Sequence, residues 1–156
     1  MSCPTNQIGR LPLPTYSKGR GDKKRDNLLS LNVFRNLHHY QKNQVKQSYS
    51  SKVKWWVEKL PKYNLIVPQY TIYFANNRKK DIDNYTFPIH KFLMDSLVAE
   101  GIIADDNYDY VPGFAARFGG ISDENYVIVE IDGELDDTSR TTWDVEHNEL
   151  KLKRHR

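Results

Sequence analysis

Cysteine is almost missing from this chain: Cys3 is the only one in 156 residues. No disulfide can form within it, which suits a reducing compartment, and no Cys/His spacing supports a zinc site. Long apolar runs are missing as well. No stretch approaches the ~20 residues that span a bilayer, and the N-terminus has no apolar segment of the secretory kind. A cytoplasmic protein with no membrane partner is therefore expected. Apolar residues make up only 38% of the chain and mean hydropathy is −0.73. That predicts one domain with a modest core, which a dimer interface would help.

Carboxylates are scarce in one half only. Residues 1–80 hold 16 Lys+Arg against 3 Asp+Glu, and residues 81–156 hold 7 against 17, which together give the net charge of +3. One half can grip a polyanion while the other holds cations. The plainer reading is a basic solvated tail followed by ordinary acidic turns.

Regular elements are expected between loose ends. Residues 1–27, with Pro4, Gly9, Pro12, Pro14, Gly19 and Gly21 ahead of Lys23, Lys24 and Arg25, predict an irregular, flexible basic arm. Residues 28–34 have short strand character. In residues 41–60, Val45, Tyr49, Val53, Trp56 and Leu60 recur at helical spacing, with Lys42, Lys46, Lys52, Lys54 and Lys59 opposite. Pro61 stops that helix. The β-branched and aromatic run 64–75 predicts a strand with Pro68 at an edge or bend. Residues 86–100 predict a second helix with Pro88 in its first turn, Ile89, Phe92, Leu93 and Leu97 buried, and Gly101 as the stop. Segments 108–118 and 125–131 predict a hairpin through Gly119 and Gly120. Residues 132–156 predict a tail. The expected fold is α+β: a small mixed β-sheet flanked by two main helices.

The chemistry concentrates in Arg78-Lys79-Lys80-Asp81-Ile82-Asp83-Asn84. In an extended segment Asp81 and Asp83 point to one face, and two carboxylates so close call for a cation. Hard oxygen ligands suit Mg²⁺, with Mn²⁺ able to substitute. Arg78, Lys79 and Lys80 can hold a phosphate chain beside it. Asp105 and Asp106 follow the second helix. A strand–helix–strand arrangement would carry one of them to the first pair, giving three carboxylates for metal-assisted phosphodiester hydrolysis; the alternative for this pair is a plain turn. Lys91 can contact phosphate or the leaving oxygen, or simply pair with Asp95 at i,i+4. Trp55, Trp56, Tyr49 and Tyr40 among lysines can stack on unpaired bases or serve as core. His38 and His39 read as surface loop residues. A DxD pair also occurs in nucleotide-sugar transferases, for which 156 residues is short.

Residues 78–110 (RKKDIDNYTFPIHKFLMDSLVAEGIIADDNYDY) resemble the RusA family of Holliday junction resolvases. The shared pattern is the basic run before DxDN, the helix with Lys91 ending near Gly101, and the Asp105-Asp106 pair. The spacing from Lys91 to Asp106 fits, whereas about four additional residues separate Asn84 from Lys91. The resemblance implies a RusA-like nuclease domain over 28–131. It implies Asp81, Asp83 and Asp106 as metal-binding catalytic carboxylates, Lys91 as the catalytic lysine, and a homodimer acting on branched DNA in a bacterial or phage-infected cell. The expectation is thus a Mg²⁺-dependent endodeoxyribonuclease that resolves four-way junctions in recombination and repair. The alternative is a DNA-binding accessory protein that has lost catalysis.

Overall fold

A computed structural model describes residues 6–136 and has a mixed α+β architecture. In chain order come β1 (Gln7–Pro12), β2 (Thr15–Lys18), β3 (Arg25–Leu28), α1 (Leu31–Asn36), α2 (His39–Val57), β4 (Tyr63–Phe74), α3 (Ile82–Ala99), β5 (Ala115–Ile121) and β6 (Tyr126–Leu135). A four-stranded sheet has the order β1-β6-β4-β5, and β2 and β3 form a separate two-stranded ribbon.

The centre of the sheet is β4. From Ile66 to Phe74 every second side chain is buried, so one face of the strand packs inward. Val127, Val129 and Ile131 of β6 continue that face. Helices α2 and α3 cover it. Tyr49 donates its hydroxyl to the Pro12 carbonyl at 2.7 Å, and Phe92 meets Phe34 and Tyr49. Ser96 reaches Ser50 at 3.3 Å. Gly9 lies so tightly under the Trp56 indole that a Cβ there would enter the ring.

The helix expected over 41–60 forms as α2, with Val45, Tyr49, Val53 and Trp56 buried; Trp55 remains exposed. Pro68 also behaves as expected. Ile66 gives its N–H to the Tyr110 carbonyl on the β5 side, and β5 starts pairing only at Gln69, so the donor that Pro68 lacks would face a stretch without a ladder.

Five expectations are corrected. Residues 6–27 are not an irregular arm: β1 joins the main sheet along β6, and β2 and β3 pair with each other. Pro12 ends β1, Pro14 precedes β2, and Gly19 (φ 103°) and Gly21 (φ 58°) make the ribbon turn, while Gly9 sits inside β1 where the Trp56 indole leaves no room for a Cβ. Residues 28–34 do not form the short strand expected of them, because β3 ends at Leu28 and Ser30 caps α1 by accepting a hydrogen bond from the Val33 N–H at 3.2 Å. The second helix begins at Ile82, so Pro88 lies inside it rather than in its first turn. Finally, β5 and β6 make no hairpin. They flank β4 on opposite sides, β5 parallel and β6 antiparallel, because the longest apolar strand takes the centre. Residues 132–135 extend β6, while Cys3 and residues 137–156 lie outside the described residues.

Candidate functional site

β4 ends at Phe74, and residues 75–81 carry the chain to α3. This loop is pinned by two asparagines. Asn125 accepts a hydrogen bond from the Ala75 N–H at 2.8 Å, and Asn76 accepts from the Arg78 N–H at 3.1 Å and from Lys80 Nζ at 2.7 Å. Lys80 also donates to the Arg78 carbonyl at 3.0 Å and sits over the Phe74 ring. Desolvation, and then the neighbouring Arg78 charge, lowers the Lys80 pKa. An ammonium fixed in place by two acceptors is a ready phosphate partner. Arg78 and Lys79 are exposed.

Beside the loop lies a cavity of about 300 Å³ lined by Phe74, Phe118 and Ile121 together with Arg78, Lys79 and Lys80. Phe118 and Ile121 are about half exposed, at 52% and 53%. The parallel strands β4 and β5 run into it by their C-terminal ends, and α3 begins there. This is where open sheets with parallel strands place ligands, and the helix N-terminus adds positive potential. The cavity therefore offers cations for phosphate and apolar surface for a base or sugar.

Asp81 and Asp83 occupy the start of α3, not the end of a strand. Asp81 is its N-cap residue and makes no side-chain cap bond; Asp83 lies in the first turn and accepts from the Asn84 N–H at 2.9 Å. Both are exposed. The expectation that an extended segment aims both at one face is thus replaced by a helix start, where the chain turns between them. The Asn84 side chain accepts from the Asn32 N–H at 3.3 Å and ties α1 to this end of α3.

Asp105 and Asp106 are elsewhere. The Ile102 carbonyl accepts from the Tyr63 N–H, and the Tyr110 carbonyl accepts from the Ile66 N–H, so residues 102–110 are fastened to the beginning of β4. Asp81 and Asp83 follow its end, and the 18 residues of α3 put about 27 Å of helix between the two groups. The chain does not bring its three carboxylates together. Asp105 is engaged in a turn, accepting from the Asp106 N–H and from Asn107 Nδ2. The Asp106 carboxylate has no partner among the described residues.

The donor set decides whether a hard cation fits. Mg²⁺ keeps most of its waters and takes one or two protein carboxylates plus substrate phosphate. Asp81 and Asp83, exposed and preceded by three cations, match that requirement. A preformed cage does not exist among the described residues, where no three His, Cys, Asp or Glu side chains are grouped for a metal ion.

Lys91 is exposed on α3, about 12 Å along the axis from Asp83. It does not pair with Asp95, which instead meets Lys46 of α2 at 3.6 Å. His38 is the N-cap of α2 in a capping box with Gln41. His90 lies seven residues from Asp83, on the same side of α3. Its Nδ1 shares a hydrogen bond with the Tyr70 hydroxyl at 2.7 Å, and its ring stacks on Phe114 with centroids 4.0 Å apart. Burial lowers its pKa to about 4.

No protein-family model matches the chain, and no curated protein matches it.

Sequence reasoning missed Phe74, Phe118, Ile121 and the pinning residues Asn76 and Asn125. Phe118 next to Gly119-Gly120 carried a signal, an aromatic with nothing bulky after it to bury against. The Asn125 contact depends on strand order and had no sequence signal.

Proposed function

We propose that this chain is a Mg²⁺-dependent, structure-selective endodeoxyribonuclease of RusA-like fold that resolves four-way DNA junctions by symmetric phosphodiester hydrolysis. The observation that carries this reading is the pinned basic loop running directly into Asp81 and Asp83 beside a cavity with aromatic and cationic walls. Arg78, Lys79 and Lys80 neutralise phosphates on either side of the scissile bond, and Asp81 and Asp83 hold the cation. Bound Mg²⁺ supplies a Lewis acid for the phosphoryl oxygen and a more acidic water. Lys91, too far along α3 to touch Asp83, contacts a phosphate further along the strand.

The separation of Asp106 from Asp81 and Asp83, at opposite ends of α3, gives the homodimer a specific role. A two-fold pair of copies can set Asp106 of each chain against Asp81 and Asp83 of the other, and two such sites match the two symmetric cuts that a junction requires. Asp106 is favoured over Asp105 for this part because the turn already occupies Asp105.

The experiment is cleavage of a synthetic four-way junction with Mg²⁺. Wild type is expected to cut, and Asp83→Asn to lose at least about a hundredfold in rate, as removal of a metal-holding group does. Equal cleavage by Asp83→Asn would refute the assignment. The second reading, a DNA-binding accessory without catalysis, is favoured by one observation: no three-carboxylate group exists among the described residues. Calorimetric Mg²⁺ titration of wild type and Asp81→Ala, with junction DNA present, separates the two, since the accessory reading expects no metal-dependent heat in either.

A further inference from the structure

A second cleft, of about 370 Å³, lies between the β2–β3 ribbon and α2 and shares no lining residue with the cavity beside Asp81. We propose that it seats the sugar–phosphate backbone of a duplex nucleic acid, giving the protein a grip separate from the loop of residues 78–80. The proposal does not depend on nuclease activity.

Charge is the first argument. The ribbon and its turn, residues 15–28, carry five cations, Lys18, Arg20, Lys23, Lys24 and Arg25, against Asp22 and Asp26. All seven are exposed. The facing helix α2 has four lysines and no carboxylate in 19 residues. Lys24 enters the cleft from the ribbon and Lys52 from the helix, so a polyanion lying in it meets a cation on each wall.

Chemistry of the lining is the second. Gln41 and Gln44 are amides able to donate to phosphate oxygens, as polar side chains do when they position a backbone without reading sequence. The carboxylate on the wall, Asp26, already accepts from Ser17 Oγ at 2.9 Å across the ribbon. Tyr16, Leu37 and Val45 also line the cleft, but most of its lining is polar, which suits a continuous backbone rather than an unstacked base.

Rigidity is the third. The ribbon is tied at its base by the Leu29 N–H to the Pro14 carbonyl at 2.9 Å. Its tip is closed by the Lys23 and Lys24 N–H groups, which donate to the Arg20 and Gly21 carbonyls. The cations are presented by an ordered element and lose little freedom on binding.

Fluorescence anisotropy of a labelled unbranched duplex, in chelator and across a salt series, tests this. Lys24→Ala/Lys52→Ala is expected to weaken binding about tenfold near 0.1 M salt and to lower the log–log salt slope by about 2, one contact per lysine. Lys24→Arg/Lys52→Arg should bind as wild type. Unchanged affinity and slope in the alanine variant would overturn the proposal. So would a variant that binds duplex normally but loses binding to vesicles of anionic lipid, which would assign the cleft to a membrane surface. No cleavage or metal enters the readout, so the result stands apart from the junction assay.

Discussion

His90 is the residue whose protonation the fold controls most plainly. Its pKa falls from the ordinary 6.5 to about 4 because the folded ring is desolvated against Tyr70 and Phe114. The unfolded chain then binds the extra proton first. Stability contributed by the neutral ring is complete above about pH 6.5 and is lost as pH falls from there towards 4. The slope attributable to this one group is at most about 1.4 kcal/mol per pH unit. Urea midpoints across that range should fall with acid in wild type, and less steeply in His90→Gln, which keeps a polar partner for Tyr70 but does not titrate. Parallel slopes in the two proteins would mean that His90 does not carry the effect. None of this was legible in the sequence, where His90 is one histidine in an apolar helix. By contrast, Asp81, Asp83 and the three cations before them stood out by type and adjacency alone, since a linear motif keeps its neighbours in any fold.

Among elements, the most legible were those whose side chains repeat with one period over a long stretch. The three- and four-residue spacing from Val45 to Trp56 and the alternation through β4 both reappear as buried faces. Short elements were obscured. Residues 28–34 look β-prone, yet Ser30 makes α1 begin by capping it, and Phe34 then packs edge-on against Phe92. Ser30→Ala should cost about 1 kcal/mol, the usual loss for an N-cap hydroxyl, read as a shift in urea midpoint at unchanged slope. A change below about 0.3 kcal/mol would mean the packing of Phe34, not the cap, holds α1. The start of α3 was obscured for a related reason. Pro88 looks like a first-turn residue, but the helix continues N-terminally past it, with Thr86 Oγ1 donating to the Ile82 carbonyl at 2.7 Å.

Across the whole molecule, what the sequence withheld is strand order. Nothing local in residues 115–131 says that β4 will come between β5 and β6, and the expected hairpin failed on that point. Because β5 runs parallel to β4, the chain after α3 returns to the start of β4 and takes Asp106 with it, so the separation of the carboxylates follows from strand direction and helix length. On the proposed dimeric reading, this yields a complementation experiment. Asp81→Ala and Asp106→Ala chains, each inactive alone, should form mixed dimers with one intact site that nicks a single strand of the junction. If mixing restores nothing, the carboxylates do not act across the two-fold, and the dimer has some other role.

The pairing of β1 with β6 has a further consequence, in kinetics. The ladder joins Gln7 to Ile131, and beside it Asn6 bonds Glu130 across a separation of 124 positions. No local nucleus can form that seam, because its second strand follows nearly everything else in the described fold. Closing so long a loop carries an entropy that rises only slowly with length, yet the search for the contact is slow. A chain emerging in order from its N-terminus must therefore hold Ile8 and Leu11 without their sheet partners until β6 has been made.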